Sequence, residues 1–249
     1  MRLRPVAAAA SVAPVLLRPR HPVAVAAVTA HAVYLRTDDP ACPAVCLSTP
    51  RAVRVPCALV LGTDAPPPEL RIGDTGSLGG GELTVGGTAY RPARWWRPAR
   101  PRASGRLPIT YLPPLDPATA TAVSRLAAAL AAGTSLAGPV AELLGRGPGL
   151  TPLGDDVLAG ALVTLLATGS PAGPTLAAEV MREAFRRTAF VSAALLWHAA
   201  RGECVPQLAA LLTGAPGAAE ALLRVGHTSG AGLAHGVRAV STISGEVTA

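Results

Sequence analysis

Two adjacent carboxylates, Asp155 and Asp156, follow directly on a glycine-dense segment, Gly145-Arg-Gly-Pro-Gly-Leu-Thr-Pro-Leu-Gly154. An apolar run comes next, with Leu158, Ala161, Leu162 and Leu165 at the spacing of one buried helix face. A glycine-rich loop feeding a helix N-terminus is backbone geometry suited to an anion, because the first N–H groups of the helix lack intrahelical partners. Thr151 reads as the N-cap and Pro152 as the first helical residue. Two carboxylates at that end would repel a bare phosphate. A divalent cation, Mg2+ or another, held by Asp155 and Asp156 would reconcile them with an anionic ligand. The plain alternative is that acidic residues in a first turn only complement the helix dipole, by about 0.3–1 kcal/mol each.

A second constellation, Gly226-His-Thr-Ser-Gly230, has the same form: a glycine-flanked turn with hydroxyl residues opening an apolar helix. Thr228 and Ser229 are capping types, and His227 is of a type that can donate or accept a proton. If both helix N-termini face one ligand, Asp155, Asp156 and His227 are the catalytic candidates. Gly149, Thr151, Gly154, Ser192, Thr228, Ser229 and Gly230 are then the ligand-binding candidates. Ser192 enters with Thr188, four residues earlier and so on the same face if one helix carries both. Hydroxyls bonded to the preceding helical turn are the alternative for that pair. His198 and His235 have no ligand-spaced partner and read as structural.

The elements that must position these residues differ between the two halves. From Pro22 to Leu61 the pattern is β-like, with valines 23, 25, 28 and 33, Tyr34 and Leu35 in one run and turn residues after it. Pro66–Pro68 reads as a loop, and residues 70–90 as short strands with tight glycine turns. The first residues resemble a signal peptide, but Pro14 and Arg18 interrupt them, so an Ala-rich first helix or arm is expected. Beyond Asp116-Pro117, an N-cap followed by proline, the chain reads helical over 117–132, 135–144, 152–168, 175–187, 189–200, 206–213, 217–225 and 229–241. The expected class is α+β: a β-rich sheet or open barrel over residues 1–112 and a helical domain over 113–249.

Gly147 to Gly160 also resembles the signature of a bacterial family that includes the AllH-type subunit of oxamate carbamoyltransferase. That pattern reads roughly Gly-Leu-Thr-Pro-Ser-Gly-Asp-Asp, with Leu153 here in the place of Ser. The stretches Thr188 to Gly202 and Gly226 to Gly230 are similar to later parts of the family. There the Asp usual after Ser-Gly is replaced by Ala231 and Gly232. The resemblance implies a subunit of a carbamoyltransferase-type enzyme, from allantoin degradation, with other carbamoyltransferase subunits as partners and a small phosphate- or carboxylate-bearing ligand. The competing reading is a non-catalytic structural or regulatory subunit.

Composition narrows the classes. The chain has 22 basic residues, all Arg, against 15 acidic ones. The absence of Lys excludes Schiff-base catalysis and a P-loop lysine. Charge is uneven, with 14 Arg and 6 acidic residues in 1–112 against 8 Arg and 9 acidic residues in 113–249. No nucleic-acid module accompanies the basic half, so nucleic acid is not an expected partner. Arg91–Arg106 holds six arginines around Trp95-Trp96. It reads as a solvated loop whose tryptophans pack onto the second domain, with an anion-binding arm as the alternative. Cys42, Cys46, Cys57 and Cys204 fit neither a disulfide framework nor a zinc site and read as buried apolar residues in a cytoplasmic protein. No apolar run reaches the roughly 20 residues of a membrane span.

Overall fold

The computed structural model describes residues 2–64, 69–103, 109 and 111–241. The loop expected at Pro66–Pro68 and Arg106 of the arginine segment lie outside these. The chain divides into two compact units, Met1–Pro98 and Ala99–Ala249.

The first unit is a closed barrel of eight strands: β1 (Arg2–Ala9), β2 (His21–Val28), β3 (Ala32–Arg36), β4 (Ala44–Ser48), β5 (Ala58–Leu61), β6 (Thr75–Gly79), β7 (Glu82–Val85) and β8 (Thr88–Trp96). Around the barrel the order is β1-β5-β4-β3-β2-β6-β7-β8, and the parallel pairing of β8 with β1 closes it. β4 and β5 also pair in parallel, and the other neighbours run antiparallel. Closure leaves no edge strand exposed to association. Small and aliphatic side chains fill the interior, among them Ala8, Val25, Val33, Leu47, Leu59, Leu78 and Leu83, as suits an eight-stranded barrel. The short helix α1 (Ala13–Leu16) follows β1.

Three expectations are corrected here. The barrel is closed, not open. Its first strand is the Ala-rich N-terminus, expected to be a helix or arm. Alanine favours helix intrinsically, but a strand set between β5 and β8 buries Val6 to Ala9, and tertiary packing overrides propensity. The run from Val23 to Leu35 is two antiparallel strands, turning where Thr29 N and Oγ1 bond to Ala32 O. The four cysteines are buried and in no disulfide, and burial pushes the Cys46 thiol up to about 12.

The arginine segment is also not a loop throughout. Through Trp96 it is β8, whose backbone is held by β1 and β7. Trp96 donates from Nε1 to Ala7 O at 3.3 Å, and the Arg54 guanidinium lies 5.4 Å from its ring centre. Arg91 pairs with buried Glu82 at 2.9 Å, and Arg20 pairs with the other oxygen of the same carboxylate. Trp95 stays exposed.

The second unit is helical: α2 (Pro117–Ala132), α3 (Ala137–Leu143), α4 (Leu153–Ala167), α5 (Ala172–Arg187), α6 (Phe190–Ala199), α7 (Pro206–Leu212), α8 (Ala218–Leu223) and α9 (Ser229–Ser241). Every bound lies within three residues of the sequence reading. Asp116 caps α2 by accepting from Ala118 N and Thr119 N, and Gly133, at φ +63°, ends it. Residues 99–103 belong to this unit. Cys204 N donates to Ala99 O, Ala103 N to Ala167 O, and Arg100 to Glu203 at 2.7 Å. No helix among the described residues is long and apolar enough to cross a membrane.

α4 is the centre of this unit. It is apolar on all sides rather than along one stripe, buries Gly154 to Leu158 and Gly160 to Leu165, and packs against α3, α5, α6, α7 and α9.

Candidate functional site

The closest helix pair in the unit, α4 with α9, is made by glycines. A Cβ on Gly160 would stand 2.1 Å from Leu233 O. One on Gly236 would stand 2.0 Å from Val157 O, and one on Gly232 would meet Asp156 Cβ at 2.6 Å and Leu153 O at 2.9 Å. Gly232 thus faces residues 153–156 and Gly236 faces residues 157–161. The two helices therefore run side by side in the same direction, with their N-termini together. Their dipoles add at that end, which makes it a place for negative charge.

Both aspartates sit in the first turn of α4, and both are buried. Their environments differ. Asp155 Oδ1 accepts from Gly145 N at 2.8 Å, and Oδ2 accepts from Thr188 Oγ1. Ser192 adds another hydrogen bond. Burial raises the Asp155 pKa, and these three donors oppose the rise. Asp156 has one hydroxyl partner, Ser229, while its Oδ2 is buried with no partner among the described residues. Burial, opposed by Ser229 and reinforced by the neighbouring Asp155, pushes Asp156 up to about 7.

The hydroxyls link the two glycine-flanked turns. Thr151 Oγ1 lies 2.9 Å from Ser229 Oγ. With Asp156 ionised, Ser229 donates to the carboxylate and Thr151 donates to Ser229, so a chain of three side chains joins the loop, α9 and α4. Segments some 70 residues apart are brought together at one end of the α4–α9 pair.

Several expected details change. Pro152, not Thr151, is the N-cap of α4, and Leu153 opens the helix. The Thr151 hydroxyl is turned across to Ser229 instead of back to its own helix. Thr188 and Ser192 do not share a helix face: Thr188 is the extended residue after α5, and Ser192 lies in α6. They meet all the same, because both bond Asp155. Both oxygens of Asp155 are already taken by protein donors, and among the described residues no group of three His, Cys, Asp or Glu side chains could hold a metal.

Two candidate glycines are explained by packing. A Cβ on Gly154 would stand 2.2 Å from Leu143 O, and one on Gly230 would stand 1.9 Å from Leu222 O. Gly149 has open space around it and φ +95°. His227 and Thr228 lie on the exposed turn before α9. His235 Nε2 is 2.8 Å from Pro113 O. His198 is buried, with Nδ1 2.7 Å from Glu203 Oε2, while Nε2 has no partner among the described residues. Sequence reasoning passed over the packing role of Gly232 and Gly236 in α9. Their spacing, Gly232-x-x-x-Gly236, is the signal that would have marked the close crossing.

Residues 143–241 match the family model described as oxamate carbamoyltransferase subunit AllH. This stretch is an AllH-type domain. It begins at the last residue of α3 and ends with α9, so the AllH-type region holds the glycine-rich loop, both aspartates, Thr188, Ser192 and the Thr151–Ser229 contact. No curated protein and no solved structure matches the chain.

Proposed function

We propose that this chain acts as an AllH-like subunit of an oxamate carbamoyltransferase-type enzyme and that the joined N-termini of α4 and α9 bind its small phosphate- or carboxylate-bearing ligand. The observation that carries the reading is the Thr151–Ser229–Asp156 chain, which draws two helix N-termini to one point inside the AllH-type region. Backbone N–H groups and two aligned dipoles supply the positive potential that an oxyanion needs. In this reading Asp155 is the brace that fixes the loop and α6 around α4. His227, on the exposed turn before α9, is the candidate acid or base of the site. The positive helix ends, rather than a cation bridging both aspartates, balance the ligand charge, since Asp155 is already committed to protein donors. The other carbamoyltransferase subunits are the proposed protein partners.

A non-catalytic structural or regulatory role is the second reading. It is favoured by Gly154 and Gly230, whose lack of a side chain is accounted for by helix packing alone. The two separate in a reconstitution with the partner subunits. Under the enzymatic reading, Ser229→Ala leaves assembly intact and raises the KM for oxamate or carbamoyl phosphate. Assembly with unchanged kinetics would leave the structural reading standing.

A further inference from the structure

The barrel carries a polar cleft that lies outside the AllH-type region. β2 and β3 pair antiparallel with Ala24 opposite Arg36, so residues just before Ala24 lie beside those just after Arg36. Arg18 and His21 from one side, and Thr37, Asp38 and Asp39 from the other, line a cavity of about 350 Å³. That is room for a small molecule. Asp38 has φ +53°, and among the described residues every other positive φ belongs to glycine. Asp is one of the few side chains that accept left-handed backbone, and glycine would serve the turn with less strain. The turn holds Asp38 in place: Thr37 N donates to Pro43 O, Thr37 Oγ1 to Cys42 O and Asp39 N to Thr37 Oγ1.

The groups of the cleft are unequally committed. Asp39 accepts from Ala41 N at 2.8 Å and from Arg18 at 2.5 Å. Asp38 is exposed, and its carboxylate has no hydrogen bond or ion pair among the described residues. His21 Nδ1 lies 3.3 Å from Pro19 O, which only accepts, so Nδ1 carries the proton and Nε2 of the neutral ring is an acceptor. Nε2 is buried and has no partner among the described residues. The long Nδ1 bond holds the ring weakly and lets it tilt toward a donor. A carboxylate and a lone pair therefore line one cleft without a donor between them.

We propose that this cleft binds a small primary amine, whose ammonium group pairs with Asp38 and donates an N–H to His21 Nε2. An anion would be repelled by Asp38. A metal ion would be short of ligands, because among the described residues no group of three His, Cys, Asp or Glu side chains could hold one. No lysine of the chain can fill the cleft, because the sequence has none. The inference is independent of the ligand reading for α4 and α9.

Putrescine and its uncharged analogue butanediol are the probes, followed by NMR titration of the full chain. Putrescine should shift the His21 ring signals saturably, and butanediol should not. Asp38→Gly keeps the left-handed backbone, so it should melt at or above the wild-type temperature while putrescine affinity falls by about fivefold, the worth of one exposed ion pair. His21→Phe keeps a ring but offers no acceptor, and should weaken putrescine as well. Wild-type affinity in Asp38→Gly overturns the site, as does equal binding of the diol or no saturable shift with the wild type. Wild-type affinity in His21→Phe overturns the Nε2 contact. Tighter binding of a lysine-containing tripeptide than of putrescine would assign the ammonium group to a partner protein and overturn the small-molecule assignment.

Discussion

Asp156 makes the stability of the helical unit depend on pH in an unusual direction. Its folded pKa is about 7, against 3.8 for the free carboxyl. Below 3.8 the group is protonated folded and unfolded, and contributes nothing. Between 3.8 and about 7 the unfolded chain releases the proton and the folded chain keeps it, so stability falls as pH rises. Above about 7 both states are ionised and the loss is complete. The gap corresponds to roughly 4 kcal/mol at most, a large part of a domain's net stability. Asn at this position is the uncharged isostere and removes the penalty. Asp156→Asn should therefore match the wild type near pH 4 and exceed it increasingly toward pH 8, by up to about 4 kcal/mol. Urea unfolding curves of both proteins at several pH values measure this directly. Asp155 is present in both proteins, and its charge beside Asp156 is part of the effect being measured. A difference that stays constant with pH would refute the reasoning, because it would mean that Asp156 is ionised at ordinary pKa inside the fold. If Asp156 serves a ligand, the stabilised variant should also be the one impaired in ligand binding, the usual exchange between stability and function.

Asp155, unlike Asp156, has protein donors on both carboxylate oxygens. Thr188→Val removes a donor from its buried carboxylate and should cost about 1–3 kcal/mol in urea unfolding at neutral pH, with Thr188→Ser recovering most of the loss. Equal stability of the Val and Thr forms would show that Gly145 and Ser192 satisfy Asp155 alone. Gly236→Ala should destabilise the unit by about 1–3 kcal/mol or more, because its Cβ would stand 2.0 Å from Val157 O and force α9 off α4. Gly149→Ala meets no atom within 4 Å, so its cost should be confined to the positive φ and stay near 1 kcal/mol. Thermal melting of the two variants side by side tests this ranking, and an equal loss would contradict the close crossing.

How much of this was legible in the sequence depended on the range of the forces involved. The helices of the second unit could be placed because their signals are local: Asp116-Pro117 at a start, Gly133 at an end and apolar spacing between. The glycine-rich loop before Asp155 and Asp156 was legible for the same reason. The strand fate of Arg2–Ala9 was not, since only its pairing with β5 and β8, distant in sequence, outweighs the helical preference of alanine. Barrel closure was likewise hidden, because it depends on β8 returning to β1. The pairing of the two glycine-flanked turns could be suggested from their shared form. Only the tertiary structure divided the work between the two aspartates. Adjacent on a helix, they point about 100° apart, so Asp155 turns to Gly145 and Thr188 while Asp156 turns toward Ser229 and Gly232. Residue type is the same at both positions, and what separates them is the set of donors that other segments bring.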